Sequence, residues 1–224
     1  RSSRVTQAFA IAVATASSVT APSEDLAALL RKLSEHSARL QEMRRTGELT
    51  MTTRSEQLDG KGRVESQTEM VERVFFRDGA EVRELLRFSK NGKAVTAEAR
   101  GKEKKEGDSP SLQLSVASPF GAEEAGKYRF AFRPPDPSHP NLVQIHFEPA
   151  GEPSPAVNVG EALVDPAAGS PIRIRCRPSV NPRHVSRMEI EMRYEAQTPD
   201  GPALSAVSIE GVGGILFIKK GFRT

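Results

Sequence analysis

From residue 128 onward hydrophobic and polar positions alternate in short runs, and each run is closed by a turn-forming cluster. Residues 157–164 lead into Asp165-Pro166-Ala167-Ala168-Gly169-Ser170-Pro171, where Asp and Pro start a reversal and Gly supplies a positive φ. Ile172, Ile174 and Cys176 alternate with Arg173 and Arg175. Met188, Ile190, Met192 and Tyr194 then share one strand face while Glu189, Glu191 and Arg193 share the other, the period-two pattern of a half-buried strand. Asp200-Gly201-Pro202 marks the next turn, and residues 206–210 and 215–220 are the last two strands. Upstream, Tyr128, Phe130 and Phe132 alternate with charged and small residues, a proline-rich loop spans 134–140, and Val143, Ile145 and Phe147 mark the partner strand.

The period changes toward the N-terminus. Leu26, Leu29, Leu30, Leu33, Ser37, Leu40 and Met43 recur at helical spacing, with Arg31, Lys32, Glu35, Arg39 and Glu42 elsewhere on the wheel. Pro22-Ser23-Glu24-Asp25 offers a serine N-cap and first-turn acids, and Gly47 ends the helix. Four strands follow in a meander: Leu49, Met51 and Thr53 alternate, Asp59-Gly60-Lys61-Gly62 is a hairpin turn, and 64–77 is a long strand. The chain turns again at 77–80, 81–90 is the third strand, Asn91-Gly92 is a strong hairpin signal, and 93–100 returns. Residues 101–111 form a mixed-charge run of solvated-loop character, and 112–120 fits either a short strand or a second helical lid element.

The chain has 224 residues, 32 basic and 29 acidic, so one domain is expected over 22–224 and the dispersed +3 excludes a nucleic-acid stripe. No tract approaches the roughly 18 apolar residues that cross a bilayer. Residues 1–21 place Arg1 and Arg4 before the apolar stretch 8–14 and two small-x-small sites, which reads as a secretory signal or as a disordered leader. Its single cysteine, Cys176, allows no internal disulfide, and none lies where a lipid would be attached. The expectation is a periplasmic, exported, soluble monomer that is not itself lipidated.

Catalytic chemistry finds little material. The four histidines, His36, His139, His146 and His184, have no metal-site spacing, and Cys176 has no partner that would activate it. Gly211-Val212-Gly213-Gly214 lacks the Lys-Ser/Thr of a phosphate loop and reads as a bulge or tight turn. Neither an enzyme nor a cofactor is expected. The five methionines fall in the helix or in strands, and most share an apolar face with Phe130, Phe132, Phe147, Ile190 and Tyr194, a composition that suits either an ordinary core or a cavity for apolar ligands.

The leader, the helix with Leu29-Leu30-x-x-Leu33, the meander over 47–100, Gly160-x-x-x-Val164-Asp165-x-x-x-Gly169-x-Pro171-Ile172-Arg173 and the closing Glu210-Gly211-Val212-Gly213-Gly214 resemble the outer-membrane lipoprotein-sorting superfamily, LolA/LolB-like and related to the RseB/MucB lipid-sensing domain. The resemblance implies a mainly β (α+β) fold, an unclosed, strongly curved antiparallel β-barrel of about ten strands with the N-terminal amphipathic helix as lid. It implies an apolar cavity for lipoprotein acyl chains or another lipid, and the wall candidates are Leu33, Leu40, Met51, Met70, Phe130, Phe132, Ile145, Phe147, Met188, Ile190 and Met192. The other expectation is an envelope scaffold or regulatory domain that binds a protein partner through a sheet edge or the proline loop and encloses no ligand. Absence of tryptophan departs from the aromatic cavities of the carriers.

Overall fold

A computed structural model describes residues 25–78, 80–95, 118–213 and 220–223. The leader over 1–21, the serine of the expected N-cap, the charged run over 101–111, most of the expected return strand over 93–100, most of the segment 112–120 and the start of the last expected strand lie outside the described residues.

Helix α1 spans Leu26–Thr46. Its N-cap is Asp25, whose carboxylate accepts from the Ala27 amide at 3.0 Å, and the first turn carries no acid, so the cap sits two residues later than Ser23. Gly47 closes the helix in an extended conformation, its amide donating to the Met43 carbonyl at 2.8 Å.

The strands are β1 Glu48–Leu58, β2 Val64–Arg77, β3 Ala80–Lys90, β4 Lys93–Ala94, β5 Tyr128–Phe132, β6 Val143–Pro149, β7 Asn158–Asp165, β8 Ser170–Pro178, β9 Val185–Arg193, β10 Ala196–Thr198, β11 Gly201–Ala203, β12 Ala206–Gly213 and β13 Lys220–Arg223. Local chemistry sets the turns. Asp59 Oδ1 accepts from the Lys61 and Arg63 amides at 2.8 and 2.9 Å, while Asn91 and Gly92 take φ of 48° and 75°, the paired left-handed geometry of a two-residue hairpin. Asp165 Oδ1 accepts from the Ala167 and Ala168 amides at 2.8 and 3.0 Å, and Gly169 reverses the chain at φ 63°.

Eleven strands form one antiparallel sheet in the order β4-β3-β2-β1-β13-β12-β9-β8-β7-β6-β5, and β10 pairs with β11 in a separate hairpin. Among the described residues the fold is therefore mainly β, with one α-helix and antiparallel sheets. Strand β13 lies between β1 and β12 and joins the N-terminal meander to the C-terminal strands. Asp200-Gly201-Pro202, expected to turn directly into β12, instead contributes Gly201 and Pro202 to the β10–β11 hairpin. Of the glycine run, Gly214 lies outside the described residues; Gly211 and Gly213 are strand residues, and the β12–β9 register shifts between Val212 and Gly213, as at a bulge.

Helix α1 packs against β8 and β2. Its stripe Leu29 and Leu33 joins Phe120, Tyr128, Ile145, Phe147, Ala162, Val164, Ile174, Cys176, Met188, Ile190, Met192 and Tyr194 in the main core. Every large member is removed from water, and full burial of each is worth about 1.5–3 kcal/mol.

Candidate functional site beneath helix α1

Cross-strand register places the apolar side chains on one sheet face. Phe132, Ile145, Ala162, Ile174, Met192 and Val207 occupy successive opposed positions from β5 to β12. Phe130, Phe147, Gly160, Cys176, Ile190 and Ile209 form the next row. Directly opposed residues point to the same side, so both rows face the core. Gly160 lets β7 and β8 meet there, because a Cβ at that position would stand 2.2 Å from the Arg175 carbonyl oxygen and 2.6 Å from Cys176 Cβ. Phe120 stacks on Phe130 at 5.6 Å between centroids, and Tyr128 meets Phe147 edge-on at 5.6 Å. Burial pushes the Cys176 thiol and the Tyr194 phenol up to about 12 each, so neither ionises near neutral pH.

The wall candidates therefore divide. Leu33, Ile145, Phe147, Met188, Ile190 and Met192 come together in the packed core, each at most 3% exposed. Leu40 and Phe130 are partly buried against its margin. Phe132, at the end of edge strand β5, is 41% exposed although its register faces the core side. Met51 and Met70 lie outside that cluster, half-buried on β1 and β2.

Around Met51 and Met70 the sheet has a different lining. Opposed pairs put Leu49 against Val74, Met51 against Glu72, and Thr53 against Met70. Met70 in turn faces Phe88, Glu72 faces Leu85, and Val74 faces Arg83. Val74 and Glu72 are buried, whereas Leu49 and Leu85 remain 37% and 36% exposed. The reverse face of these strands carries charge ladders, with Glu69 between Arg54 at 2.8 Å and Arg87 at 2.5 Å, and Arg73 on Glu84 at 2.5 Å.

Three points fasten α1 above this face. Lys32 Nζ donates to the Pro166 carbonyl at 3.0 Å, and its Cβ would be 2.7 Å from a Cβ placed at Gly169. His36, 2% exposed, sets its Nε2 3.5 Å from where a Gly201 Cβ would stand. Arg44 pairs with Glu81 at 3.5 Å, and Arg83 links Glu81 at 2.7 Å to Glu72 at 3.8 Å. Sequence reasoning placed His36 on the helix without a role and passed over Glu72. His36 follows Leu29 and Leu33 by seven and three residues, the spacing of the buried stripe, and that was a legible signal. Glu72 gave none, since its burial depends on what packs over β2.

Among the described residues the buried side-chain polar atoms without a hydrogen-bond partner are His36 Nε2, Glu72 Oε2 and Ser170 Oγ. Ser170 opens β8 immediately after Gly169, Glu72 lies on β2, and α1 packs against both strands. A buried polar atom left without a hydrogen bond costs about 1–3 kcal/mol of desolvation, offset in part at Glu72 by Arg83 at 3.8 Å. Burial lowers the His36 pKa, Arg39 lowers it further, and the Pro202 carbonyl opposes both.

In the proline loop Asp136 accepts from the Ser138 hydroxyl at 2.5 Å and contacts His139 Nδ1 at 3.0 Å, which holds its carboxyl down at about 2. Serine and histidine both address the aspartate here, an arrangement that builds a turn and does not relay a proton from Ser to His. Among the described residues no helix is long and apolar enough to cross a membrane. No protein-family model and no curated protein matches this chain.

Proposed function

We propose that the protein is a periplasmic carrier or sensor of acyl chains, those of a lipoprotein or of another lipid, and that it holds them by burial alone. One observation carries this reading: the sheet face that α1 packs on is sealed over β6–β9 but leaves Leu49 and Leu85 more than a third exposed on β1 and β3. With half-buried Leu40, Met51, Met70 and Phe88 nearby, that stretch offers apolar side chains, interspersed with Thr53, Glu72 and Arg83, beside the second half of α1. Each CH₂ buried there contributes roughly 0.8 kcal/mol, so a long chain needs no polar contact to bind. Methionine suits such a wall because its unbranched thioether adapts to an irregular ligand.

The fold expected of the lipoprotein-sorting superfamily, an unclosed curved barrel with a helical lid, fits the open strand order and the register shifts at Gln57/Leu58, Val71/Glu72 and Leu163/Val164, since bulges bend strands. On this reading the chain is exported, works without cofactor or catalysis, and acts as a monomer. The runner-up is an envelope scaffold that recognises a protein partner through β5, favoured by the exposure of Phe132 on that edge strand.

Titration with cis-parinaric acid, a fluorescent polyene fatty acid, separates the two. Saturable uptake in the micromolar range, weakened at least about tenfold by Met70→Asp with far-ultraviolet circular dichroism unchanged, is the expected result. No saturable uptake by the parent protein would remove the carrier reading.

A further inference from the structure

Helix α1 covers its sheet with an interface that is apolar at Leu29 and Leu33, with Leu26, Leu30 and Leu40 partly buried beside them, and that also encloses polar atoms without a hydrogen-bond partner. His36 Nε2, Glu72 Oε2 and Ser170 Oγ are all sealed from solvent without a hydrogen-bond partner, and all three belong to α1 or to strands on which it packs. A permanent helix–sheet contact favours apolar groups or matched hydrogen bonds at such positions, because an unmatched polar atom regains water when the elements part. Two polar fastenings of the helix are of the weak, exposed kind. Lys32 to Pro166 is a surface hydrogen bond, and the side chains of the Arg44–Glu81 pair are 54% and 30% exposed.

His36 is the member of this seam that changes charge near neutral pH. No carboxylate acts on its ring; the Pro202 carbonyl favours the proton, and burial and Arg39 oppose it. The helix brings Arg39, and the β10–β11 hairpin brings the Gly201 backbone and the Pro202 carbonyl, with Asp200 in its turn. Strand β8, on which both α1 and β11 pack, presents the Ser170 hydroxyl and the neutral Cys176 thiol, and β2 brings Glu72 with Arg83 beside it. Of these, Arg39 is the charged group that acts on the ring, and it repels the proton.

We propose that α1 is a detachable cover and that protonation of His36 releases it from β8 and the β10–β11 hairpin, exposing the face beneath. Opening lets the imidazolium, the Glu72 carboxylate and the Ser170 hydroxyl reach water together, so the proton is bound more tightly by the open form, and mild acid shifts the population toward it. That the opening admits or discharges an acyl chain rests on the carrier reading; the opening itself does not. Ligand would then be held at neutral pH and exchanged faster below it.

A thiol reporter in the seam tests the movement without any ligand. Ser170→Cys in a Cys176→Ala background replaces an unpartnered hydroxyl by a thiol of similar size, and 4,4′-dithiodipyridine reads its exposure down to pH 5 when each rate is normalised to the same thiol in urea. The normalised rate should rise between pH 7.5 and 5 by up to about thirtyfold, the ceiling for a ring of ordinary pKa in the open form. Circular dichroism should stay unchanged, and adding His36→Gln should flatten the profile. A rate independent of pH, a rise that survives His36→Gln, or labelling that appears only with loss of the circular dichroism signal overturns the proposal. Should the glutamine variant not fold, nuclear magnetic resonance titration of the His36 ring in the parent chain decides. Ring and labelling midpoints that coincide support the latch, and midpoints that differ overturn it. Parinaric acid binding plays no part in either readout, so failure of the cover and failure of the carrier reading are told apart.

Discussion

The two arms of the sheet differ more in what covers them than in how they are hydrogen-bonded. From β6 to β9 the face toward α1 is a largely apolar lattice whose central residues, Ile145, Phe147 and Ile174, have no exposed surface. From β1 to β3 the ladders are longer, yet the same side mixes Met51, Met70 and Phe88 with Thr53, Glu72 and Arg83, and only Val74 and Glu72 are buried. Backbone pairing therefore gives both arms a sheet, whereas side-chain burial gives one of them a core. Stability should reside in the sealed arm and adaptability in the open one, as expected for proteins whose binding elements come from their less protected regions.

Substitutions that break this contrast are ranked by how much burial they touch. Phe147→Ala removes a ring with no exposure from the sealed arm and should cost about 3–5 kcal/mol, read as a lower urea midpoint. Alkali should attack the same arm. The Tyr194 phenol is held at about 12 against an ordinary 10, so the folded chain keeps a proton that the unfolded chain loses between those values. The Tyr194 contribution is then complete below pH 10 and falls by on the order of 3 kcal/mol as pH rises toward 12, on top of the loss from Cys176 that begins lower, and Tyr194→Phe should reduce the slope in pH-dependent urea melts. Gly169→Ala strains a residue at φ 63° and pushes its methyl into Lys32 Cβ at 2.7 Å, so a loss of about 1–2 kcal/mol is expected, with faster amide exchange in α1 than elsewhere. Arg54→Ala breaks an exposed ladder in the open arm and should shift stability by less than about 1 kcal/mol. Equal losses for Phe147→Ala and Arg54→Ala would erase the distinction between the arms.

Much of the architecture was legible because turn chemistry and period-two alternation act locally. Asn91-Gly92, Asp59 with its capped turn, and the Met188-Ile190-Met192 face all follow from neighbours in the chain. The helix was legible for the same reason, though its cap lies at Asp25 because the helix begins one residue before Ala27, the residue whose amide the cap receives. What alternation cannot show is which apolar face becomes core and which stays open. Met192 and Met70 look alike in the sequence, yet one meets Ile174 and Val207 while the other meets Thr53 and Phe88. The two lie on opposite sides of β13, which enters between β1 and β12, a pairing between distant parts of the chain. The hairpin β10–β11 and the burial of His36 against it are likewise products of long-range packing.

Hydrogen–deuterium exchange of the full chain, free and saturated with palmitate, addresses the site directly. Protection on loading should appear in β1–β3 and in the second half of α1, while β6–β9, already sealed, exchange at unchanged rates. Protection confined to β6–β9, or none anywhere, would contradict an acyl-chain site on the open arm.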